Sequence, residues 1–98
     1  MTAQPLRIAD LRAALERTLD TVEALYGPEV AFDVDHYWNV PISRAYDLDQ
    51  EPELDMGQLS DDADTITATA NGSDPVSIWH ECDHLAGILR ALGHLDLP

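Results

Sequence analysis

The chain has 98 residues, 45% of them hydrophobic, which suits one core and is too short for two domains. Nineteen aspartates and glutamates stand against five arginines and no lysine, a formal net charge of −14. Such a balance excludes the basic footprint that a nucleic-acid backbone or an anionic membrane surface requires.

The first element reads as a helix over residues 6–26. Leu6, Ile8, Leu11, Leu15, Leu19, Val22, Leu25 and Tyr26 recur at three- and four-residue intervals, and Gly27-Pro28 stops the run. A strand is expected next. Val30, Phe32, Val34, His36, Trp38 and Val40 alternate with Ala31, Asp33, Asp35, Tyr37 and Asn39 up to Pro41. This pattern puts Trp38 on the inner face and Tyr37 on the outer one, and makes Trp38 and Trp79 core anchors packed on each other. A second short extended piece is expected over residues 42–46.

Residues 47–64 hold eight carboxylates and no basic residue: Asp47, Asp49, Glu51, Glu53, Asp55, Asp61, Asp62 and Asp64. A calcium loop starting at Asp47 would need glycine and glutamate where Pro52 and Gln58 stand, so that reading fails. Leu54, Met56 and Leu59 are expected to tuck inward from a loop or short strand. Ser60 reads as the N-cap of a short helix with acids in its first turn, and Leu59, Ala63, Ile66 and Ala70 share a face. The Thr65-Ile66-Thr67-Ala68-Thr69 alternation favours a strand instead; cap chemistry decides for the helix. Asn71-Gly72-Ser73 is a turn, Asp74-Pro75 starts the last helix, and Gly93 ends it before a five-residue tail. The expected product is a small single α+β domain over residues 1–98, with a long N-terminal helix, a short sheet, a minor middle helix and a C-terminal helix.

No long apolar run interrupts the stretch from Met1 to Arg17, so no signal peptide is expected. With a single cysteine, Cys82, the expected compartment is the cytoplasm.

His80-Glu81-Cys82-Asp83-His84 is an HExxH sequence. Two histidines four apart on a helix present both imidazoles to one metal, and the glutamate beside the first can polarise a bound water. The run His80-Glu81-Cys82-Asp83-His84-Leu85-Ala86-Gly87-Ile88-Leu89 resembles the metal-binding helix of peptide deformylases over ten residues. That resemblance implies His80 and His84 as ligands of zinc or iron and Glu81 as general acid/base of a metal-dependent hydrolase. The family's Glu-Gly-Cys-Leu-Ser segment, which carries its third ligand, does not occur, nor does its Gly-x-Gly-x-Ala-Ala segment. In the related His-Glu-x-x-His-x-x-Gly-x-x-His pattern, Arg90 stands at the third histidine.

At about 100° per residue, Ile78, Cys82, Leu85, Leu89 and Leu92 share one side of the helix. His80, His84, Gly87 and Ala91 lie on the other, so the apolar row is expected inside and the histidines on a solvated face. No cofactor and no catalytic residue is then expected. The leading expectation is a non-catalytic interaction module, similar in its charge to immunity proteins, antitoxins and nucleic-acid mimics, that occupies a basic partner. Its surface would comprise Tyr37, Arg44, Tyr46 and the eight carboxylates between Asp47 and Asp64, tyrosine and arginine being frequent interface anchors. A homodimer is compatible with any apolar row the helices leave over.

Overall fold

A computed structural model describes residues 4–98; the part of the N-terminal reading that concerns residues 1–3 lies outside the described residues. The elements in order are α1 (Ile8–Tyr26), β1 (His36–Asn39), β2 (Asp55–Gln58), α2 (Leu59–Asn71) and α3 (Ile78–Leu95). This is a small α+β architecture with a long N-terminal helix, a short antiparallel sheet, and middle and C-terminal helices. Backbone proximity groups it into two compact units, one ending at Ala31 and one running from Phe32 to Pro98.

In the first unit, α1 ends where Gly27 takes φ +90°, a conformation that disfavours side chains, and its N–H closes on the Glu23 carbonyl at 2.8 Å. No residue of α1 is buried; Leu15 and Val22 are half-buried.

The second unit starts from a sheet much shorter than its sequence pattern. Only His36–Asn39 is strand, paired antiparallel with Asp55–Gln58 in the register His36↔Gln58, Tyr37↔Gly57, Trp38↔Met56, Asn39↔Asp55. The partner sets the length. Pro52 and Pro41 bound one end, and at the other the chain turns helical directly after Gln58, so nothing remains for residues 30–34 to pair with. The expected eleven-residue alternation is therefore corrected to four residues, and its inner and outer faces are exchanged. Tyr37 is half-buried over Gly57, whereas Trp38 is 69% exposed beside the exposed Met56. Trp79 is exposed as well, so the two tryptophans are not core anchors. The extended piece expected over 42–46 is a turn, closed by the Arg44 and Ala45 N–H groups on the Pro41 carbonyl at 2.9 and 3.1 Å.

Residues 59–71 are helical, as the cap chemistry favoured, but the cap is not Ser60. Gln58 occupies the N-cap position and makes no side-chain cap bond. Asp35 supplies the cap from outside the helix: its Oδ1 accepts the Ser60 N–H at 2.8 Å and its Oδ2 accepts the Ser60 hydroxyl at 3.1 Å. The Leu59 N–H donates to the Asp35 carbonyl at 2.6 Å. Helix α3 begins at Ile78, after Ser77, rather than at Pro75, and continues through Gly93 to Leu95.

Helices α2 and α3 pack on each other, and the face they share is the largest departure from expectation. On α2 the inward residues are Leu59 and Asp62, with Thr65 and Ile66 half-buried, while Ala63 and Ala70 are exposed. On α3 the buried residues are His84 and Gly87, while Ile78, Cys82 and Leu85 of the apolar row are exposed. Small residues explain the choice. Gly87 and the half-buried Ala91 let the backbone of α3 approach its neighbours closely, which the leucine side of the helix does not allow. Leu59 is the one buried hydrophobic side chain among the described residues.

Candidate functional site

The centre of the second unit is polar. Asp62, 4% exposed, projects from the first turn of α2 and receives two hydrogen bonds. The Tyr37 hydroxyl donates to its Oδ2 at 2.6 Å, and His84 Nδ1 lies 2.6 Å from its Oδ1. The acceptor role of the carboxylate puts the proton on Nδ1 and leaves Nε2 of His84 with its lone pair free in the neutral ring. That Nε2 faces His80 Nε2 at 3.2 Å, with the two rings edge to face. A continuous chain Tyr37–Asp62–His84–His80 thus runs from the sheet through α2 to the exposed side of α3.

Three features hold this chain in place. The Tyr37 ring lies over Gly57, where any β-carbon would overlap it. A methyl on Gly87 would run into the Tyr37 hydroxyl and Asp62 Oδ2, so glycine is what admits both groups against α3. No buried side-chain polar atom among the described residues lacks a partner, so the network is fully satisfied. Burial pushes the Tyr37 phenol well above its ordinary range, helped by its hydrogen bond to Asp62 and by the negative charges of Asp62 and Asp83; Arg90 pulls the other way.

Beside the network a pocket of about 470 Å³ opens between Phe32, Val34, Tyr37, Trp38, Leu59 and Ala91, with Arg90 and His94 also lining it. A second concavity, of about 300 Å³, lies at Pro41, Arg44, Asp47, Glu51 and Glu53.

The residues singled out in the sequence fall into three groups. Arg44, Tyr46, Asp47, Asp49, Glu51, Glu53, Asp55, Asp61 and Asp64 are exposed. Tyr37 and Asp62 are drawn inward and bonded to each other, so they do not belong to an acidic surface; Asp62 sits on the helix face that carries Leu59. His84 is buried and His80 exposed, so the pair spans the boundary instead of lying on a solvated face. Glu81 is half-buried, and its Oε1 accepts a short hydrogen bond from the Thr69 hydroxyl of α2. Among the described residues, no group of three histidine, cysteine, aspartate or glutamate side chains is arranged to hold a metal ion.

Asp35 escaped the sequence reading, because nothing local marks an aspartate as the cap of a helix starting two dozen residues later. A signal for Asp62 does exist: it stands three positions after Leu59, in phase with the side that packs. Likewise Gly87 and Ala91 follow His84 at helical spacing and mark a face suited to close contact.

No known protein family, no curated protein and no solved structure matches the chain. The ten-residue resemblance to peptide deformylases is not accompanied by a match to that family. No helix among the described residues is long and apolar enough to cross a membrane.

Proposed function

We propose that the chain is a non-catalytic protein-interaction module that uses its acidic surface to occupy a basic partner in the cytoplasm. The observation that carries this reading is the composition of the exposed surface between Tyr46 and Asp64. Seven of the segment's eight carboxylates are exposed there, Asp62 being the exception, and the exposed side chains of Tyr46, Leu48, Leu54 and Met56 are interleaved with them. Carboxylates of one sign steer a basic partner into contact and reject acidic ones. Apolar side chains among them supply the desolvated contact that charge alone does not. In the concavity beside Arg44, three carboxylates (Asp47, Glu51 and Glu53) outnumber the single guanidinium, an environment suited to a lysine or arginine side chain.

The test compares the wild type with a variant in which Asp47, Asp49, Glu51 and Glu53 are replaced by their amides. Each is immobilised and exposed to lysate of the native cell at low and moderate salt. Support is a basic protein captured by the wild type at low salt and lost both at moderate salt and in the amide variant. Equal capture by both proteins, or no basic protein at either salt, overturns the reading.

A further inference from the structure

We propose that His80 and His84 form a binding site for one divalent transition-metal ion of the zinc, nickel or copper class, with Asp62 as the carboxylate that orients the inner ligand. Such a site needs no protein partner and no hydrolytic activity. Two features of the structure favour it: the spacing of two nitrogens and the carboxylate behind one of them.

The two Nε2 atoms are 3.2 Å apart. With metal–nitrogen bonds of about 2.0–2.1 Å, an ion equidistant from both would subtend an angle of roughly 100–106° at that separation. That is close to the tetrahedral value, so the separation of the two nitrogens suits a shared ion. In the absence of metal the same contact is a hydrogen bond, with a proton on His80 Nε2 occupying the place of the ion. Metal binding then moves that proton to His80 Nδ1, so that Nε2 offers its lone pair to the cation while the ring stays neutral.

Behind His84 stands the second feature. Metal-ligating imidazoles usually donate their other N–H to a carboxylate or carbonyl, which fixes the tautomer, orients the ring and raises its basicity. Asp62 Oδ1 does this to His84 Nδ1 at 2.6 Å, and the Tyr37 hydroxyl on Oδ2 locks the carboxylate in turn. The Asp62 brace comes from α2, outside the HExxH motif. On the outer side, the exposed His80 leaves the site open to ions from solvent. Two imidazoles suit zinc, nickel and copper rather than calcium or magnesium. No third protein ligand is grouped with them among the described residues, so water fills the remaining positions.

The test titrates zinc and nickel chlorides calorimetrically into untagged protein stripped with chelator, with far-ultraviolet circular dichroism to confirm that each variant is folded. The wild type is expected to bind one ion per chain. His80→Ala, at an exposed position, is expected to weaken binding at least tenfold while keeping its fold. His36→Ala, an exposed histidine elsewhere on the chain, is expected to bind like the wild type. Asp62→Asn, where it folds, is expected to lose about ten- to a hundredfold in affinity. Wild type and His80→Ala binding equally, binding lost equally in His36→Ala, or no binding by the wild type would each overturn the proposal.

Discussion

Two glycines in α3 are expected to respond in opposite directions to the same substitution. In a helix interior, replacing glycine by alanine stabilises by about 0.8–1 kcal/mol, because alanine loses less backbone freedom on folding. At Gly93, in the last turn of α3, a β-carbon meets nothing within 4 Å, so Gly93→Ala should be stabilising, by up to about that amount. At Gly87 the added methyl would occupy the space of the Tyr37 hydroxyl and Asp62 Oδ2. Either the phenol or the carboxylate has to withdraw, and their hydrogen bond is lost. A hydrogen bond to a charged group contributes about 1.5–3 kcal/mol, which outweighs the propensity gain and leaves a net loss of about 0.5–2 kcal/mol for Gly87→Ala. The assay is urea unfolding followed by circular dichroism, with a cycle that adds Tyr37→Phe. Once the hydroxyl is absent, Gly87→Ala should cost at least about 1 kcal/mol less than in the wild type. If both glycine substitutions shift the midpoint in the same direction, or the cycle shows no coupling, the packing of Tyr37 and Asp62 against α3 is refuted.

Three further outcomes follow from the same geometry. The Tyr37 phenol, raised above its ordinary range by burial, stabilises the fold fully below the pH at which a free tyrosine ionises, and that contribution is lost as pH rises through its folded value. In an ultraviolet titration of phenolate absorbance the wild type should therefore show a late-ionising tyrosine, and Tyr37→Phe should lack it. Asp35 is held below the ordinary carboxylate range by hydrogen bonds, first from the Gln58 side chain and then from the Ser60 N–H. Its contribution is present above the ordinary aspartate value and lost as pH falls through the folded one, so Asp35→Asn should flatten the acid limb of a stability–pH curve. Leu59→Ala removes the one buried hydrophobic side chain among the described residues and should lower stability by about 2–5 kcal/mol in the same urea assay.

The helices were legible because their signals are local. The apolar spacing of α1, the Gly27 stop and the acids opening α2 each act within a turn or two of chain. The sheet and the packed faces were not, because both depend on partners distant in sequence. Alternation from Val30 to Val40 describes a strand, yet the ladder can be no longer than β2, and β2 ends where α2 begins. Hydrophobicity chose the Ile78–Leu92 row as the inner side of α3. Close approach at Gly87 and Ala91 chose the other, since Tyr37 and Asp62 fit only against a missing side chain. The HExxH itself was visible, but its geometry was not. Nothing in the five residues indicates that His84 is backed by a carboxylate from another helix.

The Asp35 clasp has a consequence for how freely the chain can vary. It joins two residues 25 positions apart, so the start of α2 is secured by closing a loop, and most of that loop is the acidic stretch. Loop closure grows only logarithmically with length, and doubling such a tether costs about 0.6 kcal/mol. The segment between the two strands, which carries Asp47, Asp49, Glu51 and Glu53, is thereby one whose length the clasp restrains little. A peptide spliced between Asp49 and Glu53 would lengthen the tether while leaving both ends of the clasp in place.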